Sequence, residues 1–72
     1  MPMRTVQDRV GRRIRTLRIA SGIPQGTLAL MTGLTKSYMS EIESGKKNLT
    51  LRTLERIATA LEVPISELFR GL

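Results

Sequence analysis

Apolar residues recur along this 72-residue chain at intervals of three and four, a spacing that predicts five short helices and no strand. Val10, Ile14 and Leu17 give the first helix its apolar stripe, Val6 extends it, and Ser21-Gly22 ends it. Gly11 falls inside this helix at a cost of about 1 kcal/mol relative to alanine, which a closely approaching backbone would explain. Pro24 opens a second helix that carries Leu28, Ala29 and Met31 and stops at Gly33. Thr35 caps a third helix running to about Ser44, and Gly45 terminates it. After Lys46-Lys47-Asn48-Leu49, Thr50 caps a fourth helix whose stripe is Leu51, Leu54, Ile57, Ala58 and Leu61. Val63-Pro64 breaks the chain before a last helix over Ile65–Arg70. The expected fold class is all-α: one compact five-helix domain across residues 1–72, with residues 1–6 a flexible basic arm.

Placing successive residues at about 100° around each helix axis sharpens the pattern. With Val10 at zero, Ile14 falls at about 40°, Leu17 at about 340° and Arg18 at about 80°. With Met39 at zero, Ile42 falls at about 300° and Glu43 at about 40°. A guanidinium and a carboxylate thus sit beside core-facing stripes, where each is costly alone and tolerable as a pair. Arg18 and Glu43 are expected to form a partly buried ion pair fixing the first helix against the third; the alternative is that both reach water separately.

The opposite face of the third helix carries Ser37, Ser40, Glu41 and Ser44, with Lys36 at its N-terminal end and Tyr38 on its flank. Small hydroxyl residues allow close approach to base edges, and lysine can donate to guanine, so Lys36, Ser37, Tyr38, Ser40 and Glu41 are candidate base-reading residues. Three and four residues from Glu41 stand Ser37, Tyr38, Ser44 and Gly45, so the helix itself offers it no cation. Glu41 either accepts from a cytosine amine and selects sequence, or stands solvated and clear of DNA.

Charge strengthens this reading. The net charge is +6, and Arg4, Arg9, Arg12, Arg13, Arg15 and Arg18 face Asp8 alone within residues 1–22. Such a segment suits a polyanion, nucleic acid being the commonest, although a solubilising surface is the plainer explanation. Lys46, Lys47 and Asn48 precede a helix N-terminus and suit phosphate, as do Ser44, Arg12, Arg13 and the Gln25 amide at the start of the second helix.

Composition removes other classes. The chain has no cysteine and no histidine, hence no disulfide, no zinc site and no nucleophile–base pair, and it lacks a phosphate-cradling glycine loop. Neither an enzyme nor a cofactor nor a small-molecule ligand is expected. No apolar run reaches signal-peptide or membrane-span length, so a cytoplasmic protein without a membrane partner is expected. A domain this small buries only about 60% of its unfolded surface, so close packing or self-association must add stability. Ile65, Leu68, Phe69 and Leu72 share one stripe; Leu68 suits the core, while Ile65, Phe69 and Leu72 either close it or form a dimer interface.

The segments GRRIRTLRIASGIPQ, LALMTGLTKSYMSEIESGKKN and LRTLERIATALEVPISELF, within Val10 to Phe69, resemble the Cro/phage-repressor helix-turn-helix family. The resemblance implies a repressor-like domain in which helices 2 and 3 form the DNA-reading unit. It further implies that Gln25 and the Lys36–Glu41 segment contact an operator, that Arg18 pairs with Glu43, and that the chain works as a homodimer. Single-domain members include controller proteins of restriction–modification systems, small phage regulators and some antitoxins. The chain departs from the pattern at Pro24, where a serine or threonine cap is usual, and at Gly26-Thr27, in place of an acidic pair. Leu49 stands where proline is frequent, and Glu62 where glycine is.

The expected function is therefore sequence-specific transcription regulation by a homodimer on double-stranded DNA. A palindromic operator would carry half-sites about one turn, roughly 34–36 Å, apart. An antitoxin or adaptor module whose last helix binds a partner protein is the alternative.

Overall fold

A computed structural model describes residues 5–71 as four α-helices and one 3-10 helix, with no strand among the described residues. The helices are α1 (Val6–Ala20), α2 (Gln25–Thr32), α3 (Lys36–Glu43) and α4 (Leu51–Ala60), followed by the 3-10 helix Ile65–Phe69. Threonine side chains open three of them: Thr5 accepts from the Asp8 N–H, Thr35 from Tyr38, and Thr50 from Thr53. The Thr5 N–H in turn donates to the Asp8 carboxylate, which completes a capping box. Of the expected flexible arm, Val6 therefore belongs to α1 and Thr5 is its cap, and the rest of that arm lies outside the described residues.

All four α-helices end alike. The N–H directly after a left-handed residue reaches back to a carbonyl five residues earlier: Ile23 to Arg18, Leu34 to Ala29, Lys46 to Glu41, and Val63 to Ala58. This Schellman geometry requires a left-handed residue, supplied by Gly22, Gly33, Gly45 and, at the fourth site, Glu62 with φ +58°. Glu62 occupies the position where the resemblance led us to expect glycine.

Val10, Ile14, Leu28, Ala29, Met39, Ile42, Leu54, Ile57, Ala58, Leu61 and Leu68 form one core shared by all five elements. Gly11 faces the end of α3 so closely that a Cβ there would overlap the Ile42 carbonyl oxygen. This is the backbone approach its position inside a helix called for.

Two details differ from the sequence pattern. The last helix is 3-10, because five residues between Pro64 and Arg70 provide too short a run for an α-helical ladder. Leu51, assigned to the α4 stripe, is 76% exposed, since the first turn of α4 overhangs the core layer. Its side chain instead borders an apolar groove with Val6, Leu49 and Phe69. No helix among the described residues is long and apolar enough to cross a membrane.

Candidate nucleic-acid interface

Helix α3 divides cleanly. Met39, Ile42 and Glu43 are buried, whereas Lys36, Ser37, Ser40 and Ser44 are exposed and Tyr38 and Glu41 are half-exposed. The turn that sets α3 against α2 is short because Gly33 adopts φ +74°, which a side chain would resist. At the other end of the pair, the Lys36 stem passes over Gly26, where an added Cβ would sit 3.7 Å from Lys36 Cδ. The N-termini of α2 and α3 are thus neighbours. Pro24 supplies no side-chain cap to α2, so the amides of its first turn remain without a capping side chain.

A polar cluster fixes the buried side of α3. Arg18 Nε donates to Glu43 Oε2 at 2.7 Å, and Nη2 donates to Oε1 at 3.0 Å. The third guanidinium nitrogen, Nη1, donates to the Ile23 carbonyl at 2.9 Å. Gln25 Nε2 also donates to Glu43 Oε1, at 3.2 Å. The Glu43 carboxylate thereby ties α1 and the start of α2 to α3, and Arg18 also holds the α1–α2 turn. The side chains of Arg18 and Glu43 are only 12% and 4% exposed, so both charges depend on these bonds. Gln25, expected to turn its amide to phosphate, directs it inward here because the Glu43 carboxylate lies within reach.

A second cluster lies on the outer side. Lys47 Nζ stands 3.0 Å from Glu41 Oε2 and 5.1 Å from the centre of the Tyr38 ring. The Glu41 hydrogen bond, then its charge, raise the Lys47 ammonium pKa above the ordinary value. Helical spacing withheld a cation from Glu41, but the chain beyond Gly45 supplies one. Gly45 has φ +80°, and the Lys46 N–H bonds to the Glu41 carbonyl at 2.9 Å, so the loop doubles back onto α3. The missed signal was the glycine, whose left-handed turn brings a residue six positions on back beside Glu41.

The remaining candidate cations separate into two groups. Arg13 Nε donates to the Glu67 carbonyl at 2.8 Å and Nη2 to Glu67 Oε1 at 3.1 Å. We therefore correct its assignment: Arg13, grouped with Arg12 as a phosphate anchor, instead clasps the 3-10 helix. Sequence spacing held no hint of a partner 54 residues away. Arg12 is exposed, as are Arg9 and Arg15. Lys46 is exposed and meets no carboxylate among the described residues. Asn48 accepts from the Gln7 amide, and Asp8 packs against Gly45, so the first turn of α1 braces the loop that carries Lys46.

At the other end of the molecule, Ile65 is 39% exposed and Phe69 is half-buried against the core. Leu72, the third residue of the expected dimer surface, lies outside the described residues.

Two packed short helices joined by a tight glycine turn, with a polar outer face and embedded in an all-helical domain, define a DNA-binding transcription regulator of the helix-turn-helix type. Residues 14–68 match the helix-turn-helix family, and the chain belongs to it. It is 35% identical over 71 residues to the control protein C.MunI of Mycoplasma sp., spanning 97% of this chain and 96% of that one. It is 39% identical over 57 residues to the immunity repressor protein of Bacillus phage phi105, covering 79% of this chain but 40% of the repressor. Its backbone is similar to the restriction-modification controller protein C.AhdI from Aeromonas hydrophila, with a TM-score of 0.85 at 41% identity. That match covers 88% of this chain and 96% of the other.

Proposed function

We propose that the protein is a homodimeric regulator that places α3 of each subunit in successive major grooves of a palindromic operator. The observation that carries this reading is the exposed polar face of α3 backed by a buried ionic cluster. Lys36, Ser37, Ser40 and Glu41 face outward with the half-exposed Tyr38 on their flank, while Arg18, Gln25 and Glu43 hold the helix from behind. A base-reading helix must be held rigidly, since hydrogen bonds to base edges tolerate little misplacement.

Lys46, Ser44, Asn48 and Arg12 supply phosphate contacts around that helix. At Gln25 the contact comes from the uncapped backbone amides of α2, with the Lys36 ammonium close by. Ile65 and Phe69, with Leu72, join the two subunits, and the exposed Val6 and Leu51 extend the same apolar region. The protein acts in the cytoplasm without a cofactor.

Selection of bound fragments from random duplexes, combined with sedimentation of the free protein, tests this reading. A two-fold symmetric motif with half-sites about one helical turn apart is expected, bound by a dimer. Random fragments held as tightly as any selected sequence would overturn it.

A further inference from the structure

We propose that Lys47 is a positioning residue for base selection, holding the Glu41 carboxylate until a base amine at a matching site replaces it. The inference rests on the DNA-reading role of α3 and assigns to the loop a part that phosphate binding alone does not describe. Glu41 and Lys47 meet at 3.0 Å on the outward side of α3, with side chains 43% and 38% exposed. A pair this open to water is weak and exchanges partners readily. The Tyr38 ring beneath the ammonium keeps Lys47 in place without burying it.

The pair solves a problem that a bare Glu41 would create. An unpaired carboxylate directed at DNA repels every phosphate it approaches, whatever the sequence. Closed, the pair presents no net charge, so the protein can lie on arbitrary DNA. At a matching base pair an amine, most naturally that of cytosine, donates to Glu41. The released ammonium then neutralises a phosphate. Lys46 differs in kind: its charge is uncompensated among the described residues and available on any DNA.

Salt dependence separates this from two independent side chains. Binding of a random-sequence duplex is measured across ionic strength for the wild type, Lys46→Ala, Glu41→Ala and the Glu41→Ala/Lys47→Ala double variant. Each neutralised phosphate adds about 0.9 to the log–log slope. Lys46→Ala is expected to reduce the slope by about one unit, which calibrates the assay. Glu41→Ala frees Lys47 and steepens the slope by about one unit, and the double variant returns to the wild-type slope. Thermal melts of the variants should coincide, because all three side chains reach the surface.

A second readout reports on positioning. On a selected sequence the released Lys47 ammonium should add about one unit to the wild-type slope over that on random duplexes, and Lys47→Ala should remove this excess. The proposal is overturned if Glu41→Ala leaves the slope unchanged while the double variant loses the same unit as Lys46→Ala. A wild-type protein that binds no duplex at all overturns the DNA-reading role itself, and this proposal with it.

Discussion

Helix α3 carries two glutamates two residues apart, and each holds a cation delivered by another segment. Glu43 takes Arg18 from α1, and Glu41 takes Lys47 from the following loop. The distances differ little, at 2.7 and 3.0 Å. Burial separates them: the Glu43 side chain is 4% exposed, that of Glu41 43%. Behind the helix the charges have no water to return to, so Arg18, Gln25 and the carboxylate must keep their arrangement. In front of it, water and DNA compete with Lys47 for every bond. The same chemistry fixes one face and leaves the other open to exchange.

The largest effect should come from breaking the inner pair. Glu43→Ala strands a guanidinium that is 12% exposed, a change that typically costs about 3–5 kcal/mol. Denaturant titration would detect it, and in a domain this small it approaches the whole stability. Replacing both partners by apolar residues, as in Arg18→Met/Glu43→Leu, should cost less than Glu43→Ala, since no charge is left unpaired. Equal losses for Glu43→Ala and Glu41→Ala would remove the distinction between the faces.

Gly11→Ala comes next. A Cβ at Gly11 would overlap the Ile42 carbonyl oxygen and press on the Glu43 backbone, so α1 and α3 must separate. Overpacking of this kind costs about 1–3 kcal/mol. It also moves Glu43 away from Arg18, so the variant should weaken DNA binding and stability together. Undiminished stability would show that the helix spacing does not depend on this contact.

These residues also mark how far the sequence could be read. Gly11 stood inside a helical stripe, and its cost predicted the close approach that the fold displays. Arg18 and Glu43 lay beside core-facing stripes, and helical periodicity resolves which side of a helix a residue occupies. The Arg13–Glu67 and Glu41–Lys47 pairs were not legible. The first depends on how a terminal helix packs, the second on a loop doubling back, and neither leaves a periodic trace. Leu51 misled for a related reason: periodicity gives a residue's direction around the axis but not whether the core extends to its level.

A smaller change makes the inner pair easier to study. Glu62 holds a left-handed conformation at the end of α4, with its N–H on the Thr59 carbonyl and the Val63 N–H on Ala58. That conformation costs a side-chain-bearing residue roughly 1–2 kcal/mol, of which glycine's greater chain entropy gives part back. Glu62→Gly should therefore raise the denaturation free energy by about 0.5–1 kcal/mol. In that background Glu43→Ala can be measured while still folded. A loss of stability would mean that Glu62 makes side-chain contacts worth more than its strain.

The smallest effect tests the outer face most directly. Glu41 and Lys47 are both well solvated, and truncating a surface side chain usually changes stability by less than about 0.5 kcal/mol. Glu41→Ala should leave the denaturation midpoint where it was, even though it removes an ion pair closing at 3.0 Å. A midpoint that falls as it does for Gly11→Ala would mean that the loop needs the pair to fold back onto α3. The Schellman bond from Lys46 to Glu41, the Gly45 turn and the Gln7–Asn48 bridge would then be insufficient to place it. They involve the backbone or a different element and survive the substitution. The loop should therefore keep its shape, with the Lys47 ammonium released for a new partner.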